Sequence, residues 1–215
     1  MCRTAGTSGS RPRVMERVIT GDESWFFQYD PETKRQCLEW RSKGSPRPKK
    51  ARMPKSKVKC MVVCFFDSLG IVHKGWVPAG QTVNQYYYKD ILERLRKRVI
   101  WVRPNIATNW ILHHNNAPAH APAFSVAQLL TSKGIMVMLQ PPYSPDLTPC
   151  DFLFQKAISA KKGHHFESTE DIQKSVTQAL TTFLKLHSRN ATNSGSTAGK
   201  RVCRHKGCTL KVTIF

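Results

Sequence analysis

Three residues have the side chains and the setting to hold hard cations: Asp22, Asn115 and Asp151. Asp22 stands at the tip of the β-prone run Met15–Thr20, just past Gly21. Asn115 follows the apolar run Trp110-Ile111-Leu112, and Asp151 opens the helical pattern Phe152–Lys161. Two strand ends and a helix start converge if the chain folds as an α/β sheet, because such folds gather polar side chains at the carboxyl edge of their strands. Carboxylates at such a point hold a pair of Mg²⁺ or Mn²⁺ ions. One ion activates a water or a 3′-hydroxyl, and the other stabilises the leaving oxygen of a phosphodiester. Spacing alone leaves the plainer reading open, in which each residue is a turn or cap.

The elements that must position these residues follow from the hydrophobic pattern. Met15–Thr20, Trp25–Tyr29 and Gln36–Trp40 read as early strands, with Gly21 ending the first run. Val58–Phe66 and Ile71–Trp76 read as a hairpin turning at Asp67-Ser68-Leu69-Gly70. A helix over about Gln85–Trp101, capped by Thr82 or Asn84, places Tyr88, Ile91, Leu92, Leu95 and Val99 on one stripe. Lys89, Arg94, Arg96, Lys97 and Arg98 lie mainly outside that stripe, where a solvated face is the plain reading. The strand before Asn115 comes next, then a helix over about Pro118–Ser132 stopped by Gly134. Ile135–Leu139 reads as a strand, followed by the helix from Phe152. Ser168 and Asp171 start a last helix running to about Leu184. Antiparallel strands followed by alternating strands and helices predict an RNase H-like mixed sheet flanked by helices, rather than an all-parallel doubly wound fold.

The chain has 215 residues, enough for one good-sized core, and 40% of them are hydrophobic. Its 34 Lys+Arg against 14 Asp+Glu give a net charge of +20. That charge points to a polyanionic partner, with nucleic acid first and a merely very soluble basic protein as the alternative. Arg41–Lys59 carries nine Lys/Arg and no acid. Its three prolines and one glycine exclude a regular helix, leaving an extended basic loop. As a phosphate-tracking arm it would use Arg41, Lys43, Arg47, Lys49, Lys50, Arg52, Lys55 and Lys57; the alternative is a solvated linker. Seven scattered cysteines, with no leader pattern before them, read as reduced thiols inside the cell. No apolar run approaches the roughly 18 residues of a membrane span. Residues 1–14 read as a disordered N-terminal segment, residues 15–186 as the folded domain, and residues 187–215 as a disordered tail.

Four strings, VITGDESWFFQYDPETKRQCLEW, GSPRPKKAR, HHNNAPAH and PPYSPDLTPCDF, resemble the catalytic domain of the mariner-type (Tc1/mariner superfamily) transposases, close to the Mos1-like branch. The resemblance covers about four-fifths of the chain. It implies an RNase H-like fold and a nuclear DNA transposase or endonuclease of the DDE/DDD kind, which cuts and pastes transposon DNA with Mg²⁺ or Mn²⁺. Carried over by motif, Asp22 is the first acid and Asp151 the third. The second falls at Asn115, where the family motif reads HDNAP and this chain reads HNNAP. Thirty-five residues separate Asn115 from Asp151, one more than the family pattern, which a loop insertion near Lys133-Gly134 explains. His114, Asn116 and His120 flank the motif and are expected to brace the site. His113 and His114 as a zinc pair are excluded by their adjacency on a strand.

An amide oxygen can touch Mg²⁺ but brings no charge, so the expectation is weakened metal binding and impaired DNA cleavage. The family's N-terminal end-recognition modules do not fit in residues 1–14, leaving salt-sensitive, non-specific DNA binding. Homodimerisation stays open. The tail departs from the family. Recoded with a one-base shift, Thr209–Phe215 gives HFEGDNF and Ser188–Thr197 gives a string like FQKCYQQWQH, as a frameshift near Leu186–Ser188 would produce. On that reading the Cys203–Cys208 segment is no metal site. Two further readings stay open. One is a domesticated, non-catalytic DNA-binding or interaction module. The other is a residual nuclease in which Glu23, Asp146 or a water replaces the missing charge.

Overall fold

A computed structural model describes residues 14–33, 35–37, 42, 44, 53–120, 123–142, 144 and 147–193, with side chains up to Lys185. Among the described residues five strands form one sheet: β1 (Val18–Phe27), β2 (Lys59–Asp67), β3 (Gly70–Val77), β4 (Ile111–His113) and β5 (Met136–Met138). Their order is β3-β2-β1-β4-β5. β1 pairs antiparallel with β2, and β2 with β3, whereas β4 runs parallel to both β1 and β5. Four helices cover the sheet: α1 (Gln85–Val102), α2 (Phe124–Ser132), α3 (Pro149–Ser159) and α4 (Thr169–Asn193). This is the mixed RNase H-like sheet that the pattern predicts.

The pleat of β1 divides the core in two. Ile19 joins Val63, Phe65 and the buried faces of α1 and α2 on one side. Phe26 joins Val62, Cys64, Phe66 and the buried faces of α3 and α4 on the other. Alternation along β1 therefore sends Asp22, in phase with Thr20 and Phe26, toward α3, and Glu23, in phase with Ile19, toward α1 and α2.

The two early strands expected around Gly21 are one. β1 runs through Gly21, which faces Phe65 across the ladder. A Cβ there would lie 2.0 Å from Phe65 Cδ1, so the glycine makes room for a ring and does not end the strand. Met15, expected at the start of that strand, lies in a short 3₁₀ helix, Val14–Arg17. The strand expected over Gln36–Trp40 is a turn at residues 35–37, the part that is described.

The helix expected from Pro118 starts only at Phe124. Pro122 has no N–H for an interior helix position to use, and His120 N–H closes a turn on Ala117 C=O at 2.8 Å instead. The α2 stop is as expected. Gly134 has φ +63°, and Ile135 N–H bonds Leu130 C=O at 2.9 Å, a Schellman closure. Asn84 caps α1 by accepting the Tyr87 N–H at 3.0 Å. Ser168 caps α4 by accepting the Asp171 N–H at 3.2 Å. α4 continues to Asn193, past the tail boundary expected at residue 187, because neither Gly nor Pro interrupts Thr169–Asn193.

Candidate metal and nucleic acid site

Asp22 and Asn115 meet where β1 runs on past the end of the short β4. The Asn115 Nδ2 amide donates to Asp22 Oδ1 at 2.9 Å. The same oxygen accepts the Glu23 N–H at 2.8 Å. The other end of the amide is held from behind: Asn115 Oδ1 accepts the Ala117 N–H at 3.1 Å and lies 2.7 Å from His120 Nδ1. A backbone N–H can only donate, so it fixes which end of the amide is oxygen. A flipped amide would set two donors against each other.

On the face of β1 that carries Glu23 lies a layer of stacked rings. His120 is buried against Tyr88, with ring centroids 3.9 Å apart, and lies parallel to His114 at 5.5 Å. Tyr88 Oη and His114 Nδ1 are 2.9 Å apart. His120 Nε2 approaches Glu23 Oε1 at 3.3 Å, an ion-pair distance without hydrogen-bond geometry. Asn116 instead donates to Gln140 C=O at 2.8 Å and ties the loop to the segment after β5. On the other face of β1, Thr20 Oγ1 lies 3.0 Å from His113 Nδ1 and 3.4 Å from Cys150 Sγ, next to Asp151 in the first turn of α3.

Burial pushes the Asp22 carboxyl up to about 7. The Glu23 N–H opposes the rise, the Glu23 and Asp151 carboxylates add to it, and His120 opposes it. Burial, then His120 and His113, push His114 down to about 4. Burial also lowers His113 and raises Tyr88 and the Cys150 thiol. Asp22 and Asp151 thus feel each other as like charges.

Asp22 and Asp151 carry the carboxylate oxygens that a hard cation such as Mg²⁺ or Mn²⁺ would take. The third position does not fit: Asn115 turns an N–H toward Asp22, where a cation would need an oxygen. Among the described residues, no group of three His, Cys, Asp or Glu is placed to hold a metal ion. Glu23 does not stand in, because its side chain turns to His120 on the opposite sheet face. Asp146 lies outside the described residues, as do Arg41, Lys43, Arg47, Lys49, Lys50 and Arg52. Of the expected DNA-contacting lysines, Lys57 is exposed, while Lys55 pairs with Asp30 at 3.4 Å and lies 3.7 Å from the Phe27 ring centre. The spacing of Tyr88 marks it as core, yet it also touches His114 and His120. The signal was its hydroxyl, which needs a partner when buried.

A family model described as Transposase (partial DDE domain) matches residues 30–108. The Mariner Mos1 transposase of Drosophila mauritiana is 30% identical over 168 residues, which are 76% of this chain and 48% of that protein. The chain therefore spans about half the length of that relative. Among solved structures, the Mos1 mariner paired end complex with Mn superposes with a TM-score of 0.70 at 28% identity, covering 81% of this chain and 52% of that one. The catalytic domain of Mos1 mariner transposase superposes with a TM-score of 0.61 at 25% identity, covering 81% and 76%. Strand order, helix placement and these likenesses agree: the chain is a mariner/Mos1-like transposase catalytic (DDE) domain.

Proposed function

We propose that this domain binds DNA without sequence preference and is impaired in metal-dependent strand cleavage. Its partner would then be nuclear DNA, gripped by the basic segment 41–59 and sensitive to salt. The observation that carries the impairment is the Asn115 amide, whose nitrogen faces Asp22 and whose oxygen is taken by Ala117 and His120. Two carboxylates, Asp22 and Asp151, remain for a divalent ion. A pair of cations placed there would lack the third negative charge that offsets their repulsion. What the Mos1 complexes assemble with, transposon ends and Mn, is the support for DNA and a divalent ion as partners here.

A nicking assay on supercoiled DNA with Mg²⁺ or Mn²⁺ tests the reading, comparing the chain with Asn115→Asp and Asp22→Ala. Cleavage by Asn115→Asp alone is the expected result. Cleavage by the parent chain, abolished in Asp22→Ala, would overturn the impairment and favour a residual nuclease. If none cleaves while all are folded and bind DNA, a non-catalytic DNA-binding module is left.

A further inference from the structure

α1 buries Tyr88, Ile91, Leu92, Leu95 and Val99. One of its flanks carries a second pattern. Tyr87, Arg94, Arg98 and Trp101 follow at spacings of seven, four and three, which set them in one row along a helix. The row is interleaved: the Arg94 guanidinium lies 5.9 Å from the Tyr87 ring centre, and that of Arg98 lies 4.6 Å from the Trp101 ring centre. Trp101 is 74% exposed, and the neighbouring Lys97 and Arg98 are exposed. Tryptophan is ordinarily well covered, so a bare one beside a guanidinium is not explained by core packing.

The field along this flank is positive. Arg94, Lys97 and Arg98 stand on or beside the row with Asp90 the nearest acid, while Lys89 and Arg96 lie on the far side of the helix. Asp90 pairs with Arg94 at 2.6 Å. The flank borders the edge strand β3, where burial, Arg94 and Arg98 all hold His73 below the usual imidazole range.

We propose that this flank of α1 is a nucleic-acid contact, in which Lys97 and Arg98 face phosphates and Trp101 stacks on an unpaired base. The inference rests on the DNA-binding reading above and adds a surface separate from the segment 41–59. A chain of net charge +20 does not favour docking this face on a second copy, whereas a polyanion complements it. An exposed aromatic among cations is the chemistry of a stacking platform, which tolerates any base. Gln85, at the other end of α1, lines the same cleft as Glu23 and His120. Trp101 therefore lies about 24 Å along the helix from that cleft, outside reach of the reacting atoms.

Fluorescence anisotropy on the full chain tests this, with a single strand of about 20 nucleotides and its duplex as probes. The variants are Trp101→Ala and Lys97→Gln/Arg98→Gln, all at exposed positions, with circular dichroism as the check on folding. Trp101→Ala is expected to weaken single-strand binding roughly 5- to 150-fold, and duplex binding less. The Lys97→Gln/Arg98→Gln variant is expected to weaken both and to lower the salt slope by about 0.7–0.9 per lost phosphate contact. If the parent binds and the variants bind as well with the same slope, the contact is overturned and the general DNA-binding reading stands. If the parent binds neither probe, both fall. Variants that lose self-association in sedimentation but keep their DNA affinity would make the flank a protein interface and overturn the proposal.

Discussion

Asn115 and Asp22 are joined by a hydrogen bond of 2.9 Å from amide nitrogen to carboxylate oxygen, with the amide pinned from behind by the Ala117 N–H at 3.1 Å. The bond satisfies a half-buried carboxylate oxygen without a cation. It also explains why an amide at this position suits a metal-free fold.

Asn115→Asp should reverse that balance. Without metal, the variant gathers a third carboxylate beside Asp22 and Asp151 and loses the amide donor. Removing a hydrogen bond to a charged group and adding like charge costs about 1–3 kcal/mol, and for a domain of this size about 2–4 °C of melting temperature accompanies each kcal/mol. Adding Mn²⁺ or Mg²⁺ should then raise the melting temperature of Asn115→Asp by mass action and move the parent little. Differential scanning fluorimetry with and without metal reads both. Equal metal stabilisation of the two proteins would show that Asn115 is no barrier to the ion.

Gly21→Ala tests why β1 is continuous. The added methyl would meet Phe65 at 2.0 Å, and Phe65 is fully buried. The ring must leave its rotamer or the ladder must shift, an overpacking cost of about 1–3 kcal/mol. Urea unfolding of Gly21→Ala should show a lower midpoint at unchanged slope, and Gly21→Ala/Phe65→Leu should recover part of the loss. No recovery would place the strain in the backbone instead.

Gly21 also marks where sequence reading reaches its limit. A glycine beside polar residues signals a turn in one dimension. Only the cross-strand register reveals that the missing Cβ is filled by Phe65. The long periodic helix α1 and the Gly134 stop were legible because they depend on neighbours three to five residues away, and the α1 cap was narrowed to Thr82 or Asn84. The late start of α2 was legible in Pro122, which stands in the interior of the helix expected from Pro118 and brings no N–H to it. Asp22 and Asn115 could be picked out by type and motif. The orientation of the amide could not, because it is set by Ala117 and His120 folding back from the turn. Tyr88 was hidden by its own periodicity, since a core tyrosine and a site tyrosine occupy the same helical position.

Arg103 and Asp67 fasten the end of α1 to the β2–β3 hairpin. Arg103 Nε lies 2.6 Å from Asp67 Oδ2, and its Nη2 lies 3.1 Å from Oδ1, which also accepts the N–H groups of Leu69 and Gly70 at 2.8 and 2.9 Å. The Asp67 side chain is 1% exposed. Arg103→Ala leaves that carboxylate buried without its cation and should cost about 3–5 kcal/mol. Asp67→Asn/Arg103→Met keeps the turn acceptor, removes both charges and should cost less than the single change. Equal losses in chemical denaturation would mean that the ion pair contributes only its packing.

His114 should make the domain sensitive to acid. Its folded value is pushed down to about 4 from the ordinary 6.5, because burial and the neighbouring His120 and His113 disfavour the imidazolium. Unfolding therefore takes up a proton in that window. The stability carried by neutral His114 is full above pH 6.5 and is lost as pH falls from 6.5 through about 4. The loss is on the order of 2–3 kcal/mol for a shift of this size. His114→Gln keeps a polar partner for the Tyr88 hydroxyl but cannot titrate. It should be somewhat less stable than the parent at pH 7, yet lose less stability between pH 6.5 and 4.5, so the two melting curves converge as pH falls. Melting temperatures measured across that range decide the point: parallel profiles would assign the acid sensitivity to other groups.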